Sequence, residues 1–341
     1  MDSDNKQRID ISVVVITFNQ QSTIGRTLDS ILRQKTDASY EIIIGDDCSQ
    51  DSTPDICMQY RDKYPDIIRY IRRTENIGLV NNYFDCIQHS RGRFIADCAG
   101  DDFWIDDYKL QKEYEVLTDD SNVSLVHTDW NCCDMDGSNI RRPEIFCEVN
   151  RSCKTVWKTG EACKGILLRN LDTYIHLCTA MYRKDIIDSV MKTHPYLLIS
   201  SDYTCEDLQI STVMAANGKV VYLPDITLCY SVDNESVSHN LDFTKKYYQH
   251  KGYLCLTKIL SKEYGYSDLE LINYFKSEID YLSAQVYHSN SEYIWNDYNS
   301  FLRDNELNDL KRTKTKVRDF IISHKLLWVL FYQLYHKKVS I

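Results

Sequence analysis

Residues 9–17 read IDISVVVIT, a run of β-branched and apolar side chains that is typical of a strand buried on both faces of a sheet. Residues 40–45, YEIIIG, have the same composition. Between the two runs, apolar side chains recur at helical spacing, and Ser22 stands where the N-cap of that helix would be. A buried strand, a helix and a second buried strand predict a parallel βαβ unit.

The alternation continues to about residue 97. Strands are predicted over residues 67–72 and 94–97, and helices over residues 53–63 and 79–89. Strands that alternate with helices predict an α/β fold with a doubly wound parallel sheet. Ligands bind such sheets beyond the carboxyl ends of the strands. Three polar groups follow predicted strands in this way: Thr17-Phe18-Asn19, Asp46-Asp47 and Asp101-Asp102.

Beyond residue 125 the pattern is less regular. Three further strands are predicted, over residues 123–128, 175–182 and 219–223, the last of them ending at Pro224. Residues 131–170 have no regular pattern and are interpreted as an insertion that faces the substrate. From residue 241 onward the chain is predicted to be helical, with one apolar stripe: Ile272, Phe275, Ile279, Leu282 and Val286.

Composition excludes several classes of protein. The 341 residues are 43% apolar and 26% charged, which is enough to build a core and argues against disorder. The net charge of −10 argues against a general nucleic-acid binder. No run reaches the length of a membrane span and no signal peptide is visible, so a cytoplasmic protein is expected. The 13 cysteines lack a Cys-x-x-Cys pair and are interpreted as reduced thiols, with a zinc site from Cys147, Cys153 and Cys163 as the alternative.

Acidic residues are the candidate metal ligands and catalytic groups. Pairs or single carboxylates stand at Asp46-Asp47, Asp101-Asp102, Glu206-Asp207 and Asp233. Paired carboxylates suit a hard cation such as Mg²⁺ or Mn²⁺ that is shared with substrate phosphates. The glycine-rich phosphate loops G-x-x-x-x-G-K-[ST] and G-x-G-x-x-G are absent, so a metal ion is expected to neutralise phosphates here. The alternative for any single pair is a helix cap or a solvated turn.

Six motifs together resemble glycosyltransferase family 2 over about the first 240 residues. They are VVVITFNQ (13–20), IIIGDDCSQDST (42–53), ENIGLVNN (75–82), AGDDFWIDDYKLQK (99–112), MYRKD (181–185) and EDLQISTVMAANGKVVYLPD (206–225). The resemblance implies a GT-A nucleotide-diphospho-sugar transferase fold, with a mostly parallel central sheet, helices on both faces and a C-terminal helical region. It also implies inverting sugar transfer assisted by Mg²⁺ or Mn²⁺.

The same resemblance implies a nucleotide-sugar site. Thr17, Phe18 and Asn19 would lie beside the nucleotide base, and Asp46 or Asp47 would accept the N–H of that base. The loop that closes over the nucleotide and the helix after it would contribute Asn76, Gly78 and Asn82.

The resemblance also implies the reacting groups. Asp101 and Asp102 match the end of the metal motif, with Asp101 also counted among the nucleotide-sugar contacts, and Asp207 matches the base that deprotonates the acceptor hydroxyl. Two positions depart from the family pattern. Ala99 stands where the first acid of the metal motif is usual, and Asp233 would replace a histidine ligand.

These expectations divide the chain into a GT-A catalytic domain over residues 1–240, with a nucleotide-sugar half over 1–125 and an acceptor half over 126–240, and a helical region over residues 241–341. The predicted function is transfer of a sugar from a UDP-sugar to a hydroxyl of a glycan or lipid-linked acceptor in surface polysaccharide biosynthesis. The alternatives are a metal-dependent nucleotidyl- or phosphotransferase, and an inactive nucleotide-sugar-binding module.

The C-terminal region adds a prediction about location. Residues 311–338 contain eight Lys or Arg and one acid, with aromatic residues at helical spacing. Such a segment predicts peripheral association with the inner face of a membrane. A helix packed on the protein, with its basic residues in solvent, is the alternative.

Overall fold

The computed structural model describes residues 9–143, 154–232 and 242–324. Its chain divides into two compact units. The first comprises Met1–Ser201 with Cys205–Asp233, and the second comprises Asp202–Thr204 with Asn234–Ile341.

One mixed sheet organises the first unit. Across the part of the chain that the structure describes, it has nine strands: β1 (Ile11–Thr17), β2 (Tyr40–Asp46), β3 (Ile68–Arg72), β4 (Phe94–Asp97), β5 (Phe103–Trp104), β6 (Val123–Asp134), β7 (Val156–Trp157), β8 (Ala180–Arg183) and β9 (Lys219–Val232). They lie in the order β3-β2-β1-β4-β8-β6-β9-β5, and β7 also pairs with β9.

The direction of the strands changes in the middle of the sheet. Strands β3, β2, β1 and β4 are parallel, β8 is antiparallel to both β4 and β6, and β6 runs parallel to β9. The carboxyl ends of β1, β2 and β4 therefore meet at one edge, where Thr17 is the register partner of Asp46. The predicted α/β fold with a C-terminal helical region is confirmed.

Seven helices connect these strands in the described residues. They are α1 (Ile24–Leu32), α2 (Thr53–Lys63), α3 (Leu79–His89), α4 (Lys109–Asp119), α5 (Cys163–Leu167), α6 (Lys184–Thr193) and α7 (Asp207–Asn217). The helix α1 begins one residue later than predicted: its N-cap is Thr23 and not Ser22. The hydroxyl of Thr23 donates to the carbonyl oxygen of Gly100 over 2.9 Å, so this residue ties α1 to the loop after β4.

The core of the first unit lies on both faces of β1 and β2. On one face Val13, Val15, Ile42 and Ile44 are fully buried in a cluster with Leu28 of α1, and on the other face Val14 and Ile43 are buried: 2% and 0% exposed. Burial of such β-branched side chains on a sheet supplies the main favourable free energy of folding. The sequence pattern of the two strands therefore reflects their central position.

The strand β9 corrects one prediction. It does not end at Pro224 but continues to Val232. Its register against β6 shifts between Tyr222, which pairs with His127, and Ile226, which pairs with Asp129. Pro224 lies within this irregularity, where its missing N–H costs no ladder hydrogen bond.

Two other strand predictions differ from the structure. The strand predicted over residues 123–128 continues to Asp134, because it pairs with β9 along its whole length. The strand predicted over residues 175–182 begins only at Ala180, because Leu177–Thr179 form a 3₁₀ turn. The Thr179 hydroxyl donates to the His176 carbonyl over 2.7 Å and stabilises that turn.

The second unit is helical. It contains α8 (Phe243–Glu263), α9 (Leu269–Ser289), α10 (Glu292–Asp304) and α11 (Thr313–Ser323). The side chains of Asp242, Asp268 and Ser291 accept backbone N–H groups at the first turns of α8, α9 and α10. In the apolar stripe of α9, four of the predicted residues are buried: Phe275, Ile279, Leu282 and Val286.

None of the helices in the described ranges is long and apolar enough to cross a membrane. Of the three cysteines of the alternative zinc site, Cys147 and Cys153 lie outside those ranges and Cys163 is buried. Part of the segment interpreted as an insertion, residues 144–153, also lies outside them.

Candidate active site

The end of β1 presents an aromatic ring to solvent. Phe18 is 46% exposed, whereas Thr17 before it is buried and its hydroxyl has no hydrogen-bond partner. Asn19 has a φ of 54°, its N–H donates to Ser49 Oγ over 2.9 Å, and its Oδ1 accepts from the N–H of Gln50 over 2.8 Å. The loops after β1 and β2 thus hold each other, and Phe18 offers a flat apolar surface between them and solvent.

Both carboxylate oxygens of Asp46 accept hydrogen bonds from other residues of the protein. It is fully buried, its Oδ1 accepts from the N–H of Ser49 over 2.8 Å, and its Oδ2 accepts from the Tyr70 hydroxyl over 2.6 Å. The guanidinium of Arg72 lies 3.8 Å from the same oxygen. Burial and the Asp46 carboxylate raise the pKa of Tyr70, so the hydroxyl remains a donor to Asp46. Asp46 therefore anchors the loop after β2 to β3.

Asp47 holds the neighbouring loop by its backbone. Its Oδ1 accepts from the N–H of Ile77 over 2.8 Å, and its Oδ2 accepts from the N–H of Gly78 over 2.9 Å. The side chain of Asn76 accepts from the same Gly78 N–H over 3.1 Å. Gly78 has a φ of 83°, which favours glycine, and α3 begins at the next residue. Asp47 thus fixes the loop predicted to close over the nucleotide.

Asn82 also points into the protein. It is buried, its amide donates to the Gly45 carbonyl over 2.8 Å, and its Oδ1 accepts from Arg73 Nε over 2.9 Å. A side chain on Gly45 would clash, because its Cβ would stand 2.3 Å from Cys86 Sγ and 2.9 Å from Asn82 Oδ1. The contact brings α3 directly against β2. Asn82 therefore acts on the predicted nucleotide site indirectly, by holding α3 against β2.

Asp101 and Asp102 lie in the loop between β4 and β5 and face different surroundings. Asp102 is 1% exposed, its Oδ1 accepts from the Ser231 N–H over 2.9 Å, and its Oδ2 is buried without a partner. Burial and the charge of Asp101 raise the pKa of Asp102 well above its usual range. Asp101 is partly exposed, and its carbonyl oxygen accepts from Arg26 Nη2 over 3.1 Å and from Ser231 Oγ over 2.6 Å.

This pair fits a divalent cation that is shared with phosphate groups. Two adjacent carboxylates with one orphaned oxygen match the oxygen-rich, partly substrate-supplied shell that Mg²⁺ uses. Within the described residues no group of three or more His, Cys, Asp or Glu side chains is placed to hold a metal ion. Asp233, the third predicted ligand, lies outside the described residues.

Asp207 is the first residue of α7, and Glu206 is the N-cap before it. Burial raises the pKa of Asp207 to about 6, and the guanidinium of Arg169 opposes the shift. Burial and the charge of Asp207 hold the pKa of Glu206 well above its usual range. Asp207 is therefore the more acidic member of the pair, and with a pKa of about 6 it is largely ionised at neutral pH. An ionised carboxylate at a helix N-terminus can accept a proton.

Sequence reasoning missed Asp97 and Arg169. Asp97 ends β4, and with Glu206 it lines one small cavity of the first unit. Its position at a strand end was the available signal. Arg169 lies 38 residues before Asp207 in the chain, after α5, and nothing in the sequence relates the two.

The structure thus brings the predicted residues to one edge of the sheet in three groups. Thr17, Phe18 and Asn19 meet the loop of Asp46 and Asp47 there. The N–H of Gly100 donates to the Ile16 carbonyl over 3.0 Å, which holds the Asp101–Asp102 loop at the end of β1. Asp97 and Glu206 join the end of β4 to the start of α7, which carries Asp207.

Comparisons with known proteins identify the family. The model of glycosyl transferase family 2 matches residues 12–191. An uncharacterised protein of Mycobacterium tuberculosis is 27% identical over 272 residues, which cover 77% of this chain and 71% of that protein. A poly(ribitol-phosphate) β-glucosyltransferase of Bacillus spizizenii is 37% identical over 97 residues, which cover 27% of this chain and 15% of the relative.

Two solved structures share the fold. S. aureus TarS 1–349, in complex with UDP, has a TM-score of 0.57 at 16% identity and covers 97% of this chain and 92% of its own. The mannosyltransferase PcManGT of Pyrobaculum calidifontis, in complex with GDP-Man and Mn²⁺, has a TM-score of 0.54 at 16% identity and covers 96% and 88%.

Proposed function

The chain belongs to glycosyl transferase family 2, and from that premise we propose that it transfers a sugar, with inversion, from a UDP-sugar to a hydroxyl of a glycan or lipid-linked acceptor. The observation that carries this proposal is Asp207. It is the carboxylate with a pKa of about 6 at the start of a helix, beside Arg169 and next to the residues predicted to hold the donor. It is therefore ionised at neutral pH and able to take the proton of an acceptor hydroxyl.

The chemistry needs one base and one leaving group. Asp207 removes the proton as the acceptor oxygen attacks the anomeric carbon, and the nucleoside diphosphate leaves on the opposite face. A single displacement inverts the anomeric centre, as it does in inverting glycosidases. Because Asp207 is partly buried, water competes weakly with the acceptor for this carboxylate.

The donor would lie along the carboxyl ends of β1 and β2. Exposed Phe18 supplies a face on which a nucleotide base can stack. Backbone groups of the loop that Asp47 holds at Ile77 and Gly78 lie at the same end and are pre-ordered for binding.

Mg²⁺ or Mn²⁺ would be held by Asp101 and Asp102 and would supply Lewis-acid stabilisation of the diphosphate leaving group. Asp101 is the better candidate for direct contact because it is partly exposed, whereas Asp102 is buried against Ser231. The Mn²⁺ in the mannosyltransferase of the same fold supports this assignment by analogy.

The proposal that the acceptor belongs to surface polysaccharide assembly is based on the relatives of this chain. A poly(ribitol-phosphate) β-glucosyltransferase is among them, although the match covers a small part of that protein. A hydroxyl-bearing polymer at the membrane surface is the acceptor class that we propose.

A panel of nucleotide sugars tests the proposal. The purified protein, with Mn²⁺ and without acceptor, should release a nucleoside diphosphate from one or a few donors by slow hydrolysis, and acceptor addition should accelerate the release. Pyrophosphate release would instead indicate a nucleotidyltransferase, and binding without turnover a binding module.

Asp207→Asn should reduce the acceptor-dependent release by roughly 10²–10⁴-fold, and Asp185→Asn is the matched control. Asp185 also stands in the first turn of a helix and is exposed. It follows β8, which runs antiparallel to β4, so it lies at the opposite edge of the sheet.

A further inference from the structure

A small cavity is lined by Glu206, the residue before the proposed base. Its volume is about 20 Å³, which is room for a single water molecule. The lining side chains come from the ends of β1 and β4, from α3 and from the start of α7. Polar groups that line it include Asp97, Glu206 and Tyr83, beside Ala99 and Cys178. The rest of the lining is apolar, so these three polar side chains are the partners that a water in the cavity would have.

Asp97 is the most buried acid of the cavity. It is 4% exposed, and neither carboxyl oxygen has a hydrogen bond of regular geometry. No ion pair in the described ranges includes it, and the ammonium of Lys109, the nearest cation to act on it, is bonded to Glu113 at 2.6 Å. A carboxylate charge at this depth without a paired cation is strongly disfavoured, so the group keeps its proton.

Other titratable groups surround Asp97. The hydroxyls of Tyr83 from α3 and Tyr182 from β8 are bonded to each other beside it. From α7, the charge of Asp207 acts in the same direction as burial, and together these raise the pKa of Asp97 well above its usual range in spite of Lys109 and the two tyrosines. Glu206 lies across the cavity.

We propose that Asp97 is a positioning residue for the catalytic carboxylate: as a neutral acid it donates through one water in the cavity to Glu206, and so keeps Asp207 as the single ionised carboxylate of the three. The proposal rests on the proposed function, because it concerns how that base is kept ready. Asp97 does not touch the substrate and acts through Glu206.

The logic is one of charge placement. Three carboxyl groups share a poorly solvated region, and two adjacent negative charges there would repel each other. One proton on Asp97 and one on Glu206 leave a single negative charge among the three groups. That charge settles on Asp207, because Arg169 and the N-terminus of α7 stabilise it there.

Two variants, Asp97→Asn and Asp97→Leu, separate the hydrogen-bonding role of Asp97 from the space that its side chain fills. Asparagine keeps the shape of the neutral acid and its donor, whereas leucine keeps the volume and removes every polar atom. We expect Asp97→Asn to retain kcat within about threefold and the pH profile of kcat/KM within about 0.3 pH units. Asp97→Leu should lower kcat by at least about tenfold, with nucleoside diphosphate binding unchanged, and shift the acidic limb by more than about half a unit. A wild-type kcat and profile in Asp97→Leu would overturn the positioning role.

Urea unfolding of the full chain tests the protonation state without any substrate. If Asp97 is neutral in the folded state and ionised in the unfolded state, the wild type loses stability relative to Asp97→Asn as pH rises from about 5.5 to 7.5, by about tenfold in the unfolding equilibrium constant per pH unit. A difference that does not change with pH would show that Asp97 is ionised when folded and would overturn the proposal. Asp280→Asn is the control and should show no such slope, because hydrogen bonds and ion pairs with Lys314 and Arg318 outweigh burial and lower the pKa of Asp280.

The two proposals fail differently. If the wild type releases no nucleoside diphosphate from any donor, the proposed function is wrong. The urea experiment then still decides whether Asp97 carries a proton.

Discussion

The backbone N–H of Ser231 donates a hydrogen bond of 2.9 Å to Oδ1 of Asp102, and so joins β9 to the loop between β4 and β5. The hydroxyl of the same serine donates to the Asp101 carbonyl over 2.6 Å. One residue of β9 therefore fixes both acids of the proposed metal pair. Asp102 has a structural contact that the side chain of Asp101 does not share with it, and the two should respond differently to mutation.

Asp101→Ala should weaken binding of a nucleoside diphosphate in the presence of Mn²⁺ by at least about tenfold, and should lower the free energy of unfolding by less than Asp102→Ala does. Asp102→Ala should also weaken binding, and in addition should lower the free energy of unfolding by about 1–3 kcal/mol because the Ser231 N–H loses its acceptor. Calorimetry and urea unfolding measure the two effects. Equal loss of stability in both variants would contradict the assignment.

Removal of the metal gives a second measurement on this pair. EDTA should abolish nucleoside diphosphate release by the wild type, and Mn²⁺ or Mg²⁺ should restore it. Full turnover in the presence of the chelator would show that Asp101 and Asp102 act without a cation.

Asp207→Asn should reduce turnover by roughly 10²–10⁴-fold, the size of lost general-base assistance, while donor binding is retained. In the wild type, kcat/KM should fall as pH drops through about 6, because Asp207 takes up a proton there and a protonated carboxyl is no base. Steady-state kinetics between about pH 5 and 8 measure both. Near-normal transfer by Asp207→Asn, with Glu206→Gln inactive, would assign the base to Glu206.

Asp47→Ala should raise the KM for the donor by about tenfold or more, with a smaller effect on kcat. The variant leaves the N–H groups of Ile77 and Gly78 without their side-chain acceptor, so the loop is no longer fixed before the nucleotide arrives. Asp62→Ala is the control, because Asp62 is exposed and pairs with its neighbour Arg61. A donor KM that changes equally in the two variants would argue against a role of the loop in binding.

Association with a membrane stays a prediction, and the structure changes how it must be tested. In α11, Lys314 and Arg318 pair with Asp280, and Lys311 before the helix pairs with Asp319. Ile322 of the same helix is buried, so removal of α11 would damage the helical unit.

Truncation after His324 is therefore the appropriate variant, and it removes residues 325–341, which lie outside the described residues. We expect the full chain to sediment with anionic vesicles and the shortened chain to stay in the supernatant. Sedimentation of both, or of neither, would dispose of the predicted role of this segment.

Sequence patterns were sufficient for the first half of the sheet. The helices α2 (Thr53–Lys63) and α3 (Leu79–His89) and the strand β4 (Phe94–Asp97) have the predicted bounds, because each is set by local periodicity and a nearby polar turn. The same reasoning failed at Pro224, where a register irregularity absorbs the proline and the strand continues. Such irregularities depend on the partner strand, which local sequence does not contain.

The site was predictable to a similar extent. Strand ends and the family resemblance pointed to Asp47, Asp101 and Asp207, which the structure brings to one edge of the sheet. What the sequence could not give is the environment of each carboxylate. Tertiary packing brings the Tyr70 hydroxyl to Asp46, where it donates a hydrogen bond. It also brings Arg169 near Asp207.

The close approach of α3 to β2 also constrains how this protein can diverge. Any side chain at position 45 would meet Cys86 Sγ at 2.3 Å and Asn82 Oδ1 at 2.9 Å. Gly45, Asn82 and Cys86 should therefore covary among homologous sequences, and a larger residue at position 45 should occur only where positions 82 and 86 carry smaller ones. A laboratory library that randomises position 45 alone should recover glycine, whereas one that randomises all three positions should recover other combinations.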